Sequence, residues 1–343
     1  MNNKKQDKIT ISMGAGGKQS FELIRQIFLP VYGNKILNQL EDSAEILLGK
    51  EKIAYTTDSY TVKPIFFPGG DIGKISICGT CNDLSVKGAK PLFISAGFII
   101  EEGFSIESLK KIVLSMFKTA KEIGVKIVTG DTKVVNKNEA DGIFINTSGI
   151  GIVHPGMNIS CSNVKKGDDI IITGSIADHG ISILNVRENL GLTPAIQSDV
   201  GHIYNIIKEI IEFAPYIHAM RDPTRGGLAS VLNEIAISSK INITIFEDKI
   251  IVKQAVKKSC DILGLDPLYV ANEGKAVIFV SPEVSKDILN KIKKLYEGKE
   301  ANIIGKVENT GYSEDTPAVS IQTLLGLKRF VPLIEGEPLP RIC

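Results

Sequence analysis

A strongly amphipathic stretch, Ser105 to Ile123, set among apolar runs, does most to limit the folds open to this chain. Ile106, Leu109, Ile112, Val113, Met116, Phe117, Ala120 and Ile123 recur at three and four residues, the spacing of one helical face. Ser105 is placed to cap this helix, and Phe104 to staple onto Leu109. Before it, Pro91 to Ile100 reads as a buried strand. After it, Val125–Thr129 and Ile143–Val153 read as two more, with Gly130-Asp131-Thr132 as the loop leaving the first. A break at His154-Pro155-Gly156, followed by polar sequence to Gly167, marks a domain boundary. The pattern then restarts, with a strand at Asp169–Thr173 and helices near 180–190, 203–214 and 227–239. Strands at Ile241–Phe246, Ala276–Val280 and Asn302–Val307 complete a second unit. The expectation is an α/β (α+β) chain of two domains, 1–155 and 156–327, with a flexible tail at 328–343.

Composition narrows the function classes. A chain of 343 residues, 43% hydrophobic and 23% charged with a net charge of +1, describes a soluble globular protein. It offers no electrostatic case for nucleic acid or an anionic membrane. The polar start lacks a signal peptide, and no apolar run approaches the ~20 residues of a membrane span, so a cytoplasmic protein is expected. Five cysteines make no disulfide framework. Cys78 and Cys81 form a lone CxxC that reads as structural thiols, and His154, His179, His202 and His218 lack metal-ligand spacing.

The tail is less ordinary. The chain ends Pro338-Leu339-Pro340-Arg341-Ile342-Cys343. Prolines at 332, 338 and 340 favour extended backbone at roughly 3.1 Å per residue, enough for the last dozen residues to sweep about 35 Å. A thiol on such a tail is badly placed for a core and well placed for a movable nucleophile. Its own carboxylate should raise its pKa and Arg341 should oppose that rise.

Chemistry-bearing residues fall in short Gly-containing segments. Gly14-Ala15-Gly16-Gly17-Lys18 can let backbone N–H groups approach a phosphate, but it lacks the Gly-Lys-Ser/Thr ending of a Walker A loop. Asp58, Asp83 and Asp131 follow strand-like runs, where loop carboxylates suit Mg²⁺ bridged to phosphates; Lys133 stands beside the third. Arg221-Asp222-Pro223-Thr224-Arg225-Gly226-Gly227 leads into a helix, an arrangement for an anion or for ordinary capping. In Asn272-Glu273-Gly274-Lys275, Glu273 is a turn residue or a positioned base.

Together these segments carry a resemblance. The motifs are Gly14-Ala15-Gly16-Gly17, Thr57-Asp58-Ser59, Phe66-Phe67-Pro68-Gly69-Gly70-Asp71-Ile72-Gly73, Gly79-Thr80-Cys81-Asn82-Asp83 and Val128-Thr129-Gly130-Asp131-Thr132-Lys133-Val134-Val135. Asp178-His179-Gly180, Asp222-Pro223-Thr224-Arg225-Gly226-Gly227, Ala271-Asn272-Glu273-Gly274-Lys275 and the terminal Pro-Arg-Ile-Cys continue it. The chain resembles, essentially end to end, the HypE family of hydrogenase expression/formation proteins. That family lies in the superfamily of aminoimidazole ribonucleotide (AIR) synthetase (PurM), selenophosphate synthetase and thiamine-monophosphate kinase. One departure is Met13, where the family usually has His.

The resemblance implies a two-domain PurM-like fold and an ATP-dependent carbamoyl dehydratase. Such a protein receives a carbamoyl group on its C-terminal cysteine from HypF, dehydrates it to a thiocyanate, and passes cyanide to iron on a HypC–HypD complex. It also implies a homodimer formed through the N-terminal sheet. Carried over residue by residue, Cys343 is the carrier, Glu273 the base, and Lys133 the group that polarises the carboxamide or relays a proton. Gly14, Gly16, Gly17, Asp58, Asn82, Asp83, Asp131, Thr132, Thr224, Gly226 and Gly227 become ATP contacts, and Asp58, Asp83, Asp131 and Asp222 the Mg²⁺ set. The alternatives are another activity of the superfamily, of the selenophosphate synthetase or thiamine-monophosphate kinase type, or a non-catalytic nucleotide-binding scaffold.

Overall fold

The computed structural model describes residues 8–14, 16–192, 195–308, 317–333, 335–336, 339 and 341–343. Ala15, Pro338 and Pro340, named above, lie outside the described residues.

The first sheet has strands β1 (Ala44–Leu48), β2 (Glu51–Tyr60), β3 (Ala89–Glu101), β4 (Lys126–Val135) and β5 (Ile143–Val153), in the order β1-β2-β5-β3-β4. Neighbours are antiparallel except β3 and β4, which run parallel. That parallel pair needs a crossover, and the helix Ile106–Ile123 supplies it. Ser105 caps the helix by accepting from the Ser108 N–H at 3.3 Å, and Gly124 ends it at φ 84. Its apolar stripe is narrower than the sequence spacing suggests. Ile112, Met116 and Ala120 are buried, while Ile106, Val113 and Phe117 remain exposed, so only one edge of the stripe packs inward. Strand β5 records the same asymmetry: 143, 145, 147, 149, 151 and 153 are the more deeply placed positions, alternating with more open ones.

The second sheet contains β6 (Asp169–Ile172), β7 (Ile217–Arg221), β8 (Ile243–Phe246), β9 (Val277–Val280), β10 (Asn302–Val307), β11 (Val319–Gln322) and β12 (Lys328–Phe330). Its order is β12-β11-β8-β10-β6-β9-β7. Both faces are covered. Ile170, Ile172, Val277 and Phe279 pack with the helix Gly227–Ser239, whereas Ile171, Ile278 and Val280 pack with the helices Tyr204–Ile210 and Ser285–Lys294. A strand buried on both faces reads as an unbroken apolar run, which is why these strands stood out in the sequence. Strand β12 carries the second sheet past the boundary drawn at 327.

Three expectations about loops are corrected. Asp131 and Thr132 lie within β4, not after it, because the ladder with β3 continues to Glu101 opposite Val135. Asp58 lies within β2. Asp83 belongs to a helix, Ile72–Val86, which Asp71 caps by accepting from the N–H groups of Gly73 and Lys74 at 2.7 and 3.1 Å. That helix is buried nearly all round, and its Gly, Ser, Thr and Cys residues hide a 3.6-residue period. It sits unusually close to the sheet. A Cβ on Gly149 would lie 2.7 Å from the Thr80 methyl, and one on Gly79 would come within 2.4 Å of the Tyr60 hydroxyl. Thr80 and Thr147 share a hydrogen bond of 2.5 Å across the contact.

Gly79→Ala should therefore destabilise the protein by about 1–3 kcal/mol, the usual cost of overpacking. Tyr60→Phe, which removes the obstructing oxygen, should recover part of the loss in the double variant. Urea unfolding measures both, and an unaltered Gly79→Ala midpoint would refute the close approach.

Candidate active site

A cavity of about 560 Å³ opens beside the unpaired half of β2. Strand β1 pairs with β2 only as far as Ala44 opposite Tyr55, so beyond that point β2 turns a free edge to the cleft. Thr57 and Asp58 line it there. Asp83, held by the close-packed helix, reaches the same wall and accepts from the Thr56 hydroxyl at 2.8 Å. Gly14, Gly16 and Gly17 form the opposite side with Thr224 and Arg225. Gly16 has φ 84, and a Cβ there would stand 3.2 Å from Arg225 Cβ, so the glycine lets the two segments meet. Gly227, at φ 63, starts the helix where a Cβ would lie 2.6 Å from the Val270 carbonyl oxygen.

Glu273 enters from the second domain. Asn82 donates to its carbonyl at 3.2 Å and to that of Gly201 at 3.0 Å, and accepts from the Ile203 N–H at 3.0 Å. Asp199 accepts from the Glu273 N–H at 3.2 Å. The loop is thus held by its main chain and the carboxyl is left for chemistry: Glu273 is 3% exposed, and its Oε1 has no partner among the described residues. Burial, then the charges of Asp222, Asp199 and Asp58, hold the Glu273 pKa well above the usual carboxylate range, with Arg225 opposing. Once ionised, such a carboxylate is a stronger base than one in water.

Asp83 is likewise pushed well up by burial and by Asp222, Asp58 and Asp42, while burial brings Asp222 to about 6. Crowded, partly desolvated carboxylates are relieved by a cation, and an all-oxygen donor set fits Mg²⁺. Among the described residues no three acidic, His or Cys side chains converge tightly enough to hold a metal alone. That agrees with the habit of Mg²⁺, which takes one or two carboxylates and completes its shell with water and phosphate. Asp58, Asp83 and Asp222 would hold it here. Asp83→Asn should weaken Mg²⁺-dependent triphosphate binding by about tenfold or more while leaving ligand-free stability equal or higher, since it removes one member of a repelling set. Titration calorimetry and thermal unfolding test this together; unchanged binding removes Asp83 from the site.

The C-terminus is docked inward. The Thr61 and Lys63 N–H groups donate to a terminal carboxylate oxygen of Cys343 at 2.9 Å and to the Arg341 carbonyl at 3.1 Å. Leu339 and Ile342 are buried. Arg341 does not face the thiol: it pairs with Asp141 at 2.5 Å and donates to the Thr61 carbonyl at 2.9 Å. Burial pushes the Cys343 thiol up to about 12; Arg225 draws it down, and Glu273, Asp58 and Asp222 add to the rise. The docked form keeps its proton above the ordinary pKa of 9.0, so docking is fully supported below that value and weakens as pH rises towards 12. At pH 8, iodoacetamide should label Cys343 about tenfold or more slowly than a free peptide ending in the same residues, with the gap closing as pH increases. Equal rates at pH 8 would contradict the inward dock.

Other candidates fall elsewhere. The Asn82 side chain is spent on the domain junction. Asp131, Thr132 and Lys133 stand exposed on β4, with Asp131 and Lys133 4.0 Å apart. Three strand spacings separate β4 from β2, roughly 14 Å, so the chain by itself does not bring these residues to the cleft. Arg225, the cation facing the thiol, reads in the sequence only as part of an anion-binding segment, with nothing to tie it to the tail. His179 and Arg187, which also touch the tail, had no signal beyond the Asp-His-Gly motif.

Both halves match known domain families. Residues 40–153 match the AIR synthase related protein N-terminal domain and residues 165–316 its C-terminal domain, so the chain is a two-domain protein of the AIR synthase-like class. The carbamoyl dehydratase HypE of Azotobacter vinelandii is 42% identical, with 96% of each chain covered. A solved HypE–HypF complex contains a chain 48% identical at a TM-score of 0.86, covering 91% of this chain and 99% of that one. A HypE structure in complex with ATP is 41% identical at a TM-score of 0.82, covering 98% and 100%. The chain belongs to the HypE family of hydrogenase expression/formation proteins, the carbamoyl dehydratases.

Proposed function

We propose that this protein dehydrates a carboxamide carried on Cys343 to a thiocyanate, with ATP as co-substrate, in the maturation of [NiFe] hydrogenase. The observation that carries the reading is the inward terminus, whose thiol lies under the charges of Arg225 and Glu273 in a cleft edged by glycines and carboxylates. An amide oxygen is a poor leaving group, and ATP supplies a phosphoryl group that lets it depart as phosphate. The balance is carboxamide plus ATP giving thiocyanate, ADP and phosphate: the C–O bond breaks and two N–H protons are lost as C≡N forms. Glu273, desolvated and with one oxygen unpartnered, takes a proton from nitrogen. Arg225 offsets the negative charge that gathers near the sulfur. The Gly16 N–H donates to the Ser20 hydroxyl at 2.8 Å and the Gly227 N–H to the Thr224 carbonyl at 2.9 Å, so these two glycines shape the close approach, while Gly14, Gly17, Thr224 and Gly226 edge the cleft where a phosphate would lie.

Lys133, Asp131 and Thr132 would join the site from a second protomer. The open face of the first sheet exposes Tyr55, Phe93, Ile99 and Ile150, an apolar surface suited to a homodimer. HypF is the proposed carbamoyl donor and a HypC–HypD complex the acceptor. No helix among the described residues is long and apolar enough to cross a membrane, in keeping with work in the cytoplasm.

Intact mass spectrometry after incubation with HypF and carbamoyl phosphate should find Cys343 about 43 Da heavier, falling by about 18 Da when ATP is present. Glu273→Gln should accept the first change and fail the second. ATP-dependent loss at the normal rate in Glu273→Gln would remove it as the base, and an adduct on an internal cysteine would overturn the carrier.

A further inference from the structure

The tail is read through its main chain. The last two peptide carbonyls and the terminal carboxylate all accept hydrogen bonds from the body. Thr61 serves Cys343, and Lys63 serves Arg341. His179 and Arg187 supply the remaining bonds. His179 Nε2 lies 2.6 Å from the Ile342 carbonyl oxygen, and its Nδ1 lies 2.8 Å from the Ser198 hydroxyl. The same hydroxyl accepts from the Val200 N–H at 3.0 Å, and the ring stands edge-on to Phe67 at 5.6 Å. A carbonyl can only accept, so Nε2 carries the proton, the serine hydroxyl donates to Nδ1, and the ring cannot turn without losing both bonds. Arg187 forks across the seam, with Nε donating to the Lys63 carbonyl at 2.8 Å and Nη2 to the Arg341 carbonyl at 2.6 Å.

We infer that His179 and Arg187 are positioning residues that seat the final peptide units, and so place whatever group the terminal sulfur carries against Glu273. The His179 bond to Ile342 and the Arg187 bond to Arg341 both end on main-chain oxygens, not on a tail side chain or the thiol. The seat is therefore indifferent to what the sulfur bears, and can receive the tail before and after its group changes. Leu339 adds an apolar anchor without chemistry: a Cβ on Gly180 would lie 3.1 Å from its Cδ1. The inference deepens the proposed dehydration and rests on it for its purpose, but the seating itself has an independent readout.

The test uses the full-length protein and iodoacetamide, with Cys343 labelling followed by mass spectrometry at pH 8. His179→Leu keeps apolar bulk without the donor, and Arg187→Met keeps the stem without the fork. Each should label Cys343 about tenfold faster than the parent, with an unfolding midpoint within the parent's range for Arg187→Met. His179→Gln, whose amide can reach the Nε2 position, should label near the parent rate. For the carbamoylated protein, single-turnover dehydration with ATP should slow in the two disruptive variants and recover in His179→Gln. Labelling unchanged in both His179→Leu and Arg187→Met overturns the inference, and acceleration in His179→Gln equal to that in His179→Leu overturns the hydrogen bond assigned to His179. Should His179→Leu fail to fold, Arg187→Met and His179→Gln still decide. A parent that never dehydrates its adduct defeats the proposed function, while the labelling rates still report on the seat.

Discussion

The side-chain amide of Asn82 holds the two domains in register. It stands on a helix that belongs to the first domain, yet its three hydrogen bonds all go to the second, one of them to Glu273 itself. Leaving such a buried amide unsatisfied would cost about 1–3 kcal/mol, so the junction has one favoured alignment. The helix in turn cannot slide, because its Gly79 meets Tyr60 of β2, and Gly149 of β5 receives its Thr80 and Leu84, with little clearance. A chain of rigid contacts therefore runs from the first sheet through the helix to the carboxyl of the second domain.

That rigidity lets the cleft keep an unfavourable charge arrangement. Asp83, Asp222 and Glu273 share a buried space with Arg225 as a nearby cation, and burial raises all three acids. A loose junction would let them separate and hydrate. Held in place, they form a site whose repulsion a metal and a substrate nitrogen can relieve, which is how a protein gives a carboxyl the basicity that proton removal needs.

The sequence was most legible where a local pattern and a tertiary role coincide. The helix Gly227–Ser239 opens on a Gly pair and shows its apolar face, and β9 and the Ile170–Ile172 run of β6 are buried on both sides and unbroken in hydrophobicity. The helix Ile72–Val86 was not legible because it is buried all round by small and polar residues, so Asp83 was assigned to a loop. Asp131 was misplaced because Gly130 looks like a turn, whereas parallel pairing carries the strand through it. The motifs identified Cys343, Glu273 and the glycines, but not the partners of the tail. Main-chain hydrogen bonds leave no mark on the residues that accept them, so nothing in Arg341 or Ile342 points to His179 or Arg187.

The five thiols acquire a shared meaning once the tail is in view. Cys78, Cys81, Cys161 and Cys260 are all buried, and burial raises each of them, the first and third to about 12 and the last to about 11. An electrophile in solution meets four buried sulfurs that stay protonated, and a fifth, half-buried at the docked terminus, whose proton is held by desolvation as well. If Cys343 is the carrier proposed above, chemoselectivity needs no activated nucleophile: release of the terminus would confer the address, while the desolvation that builds the core silences every internal thiol.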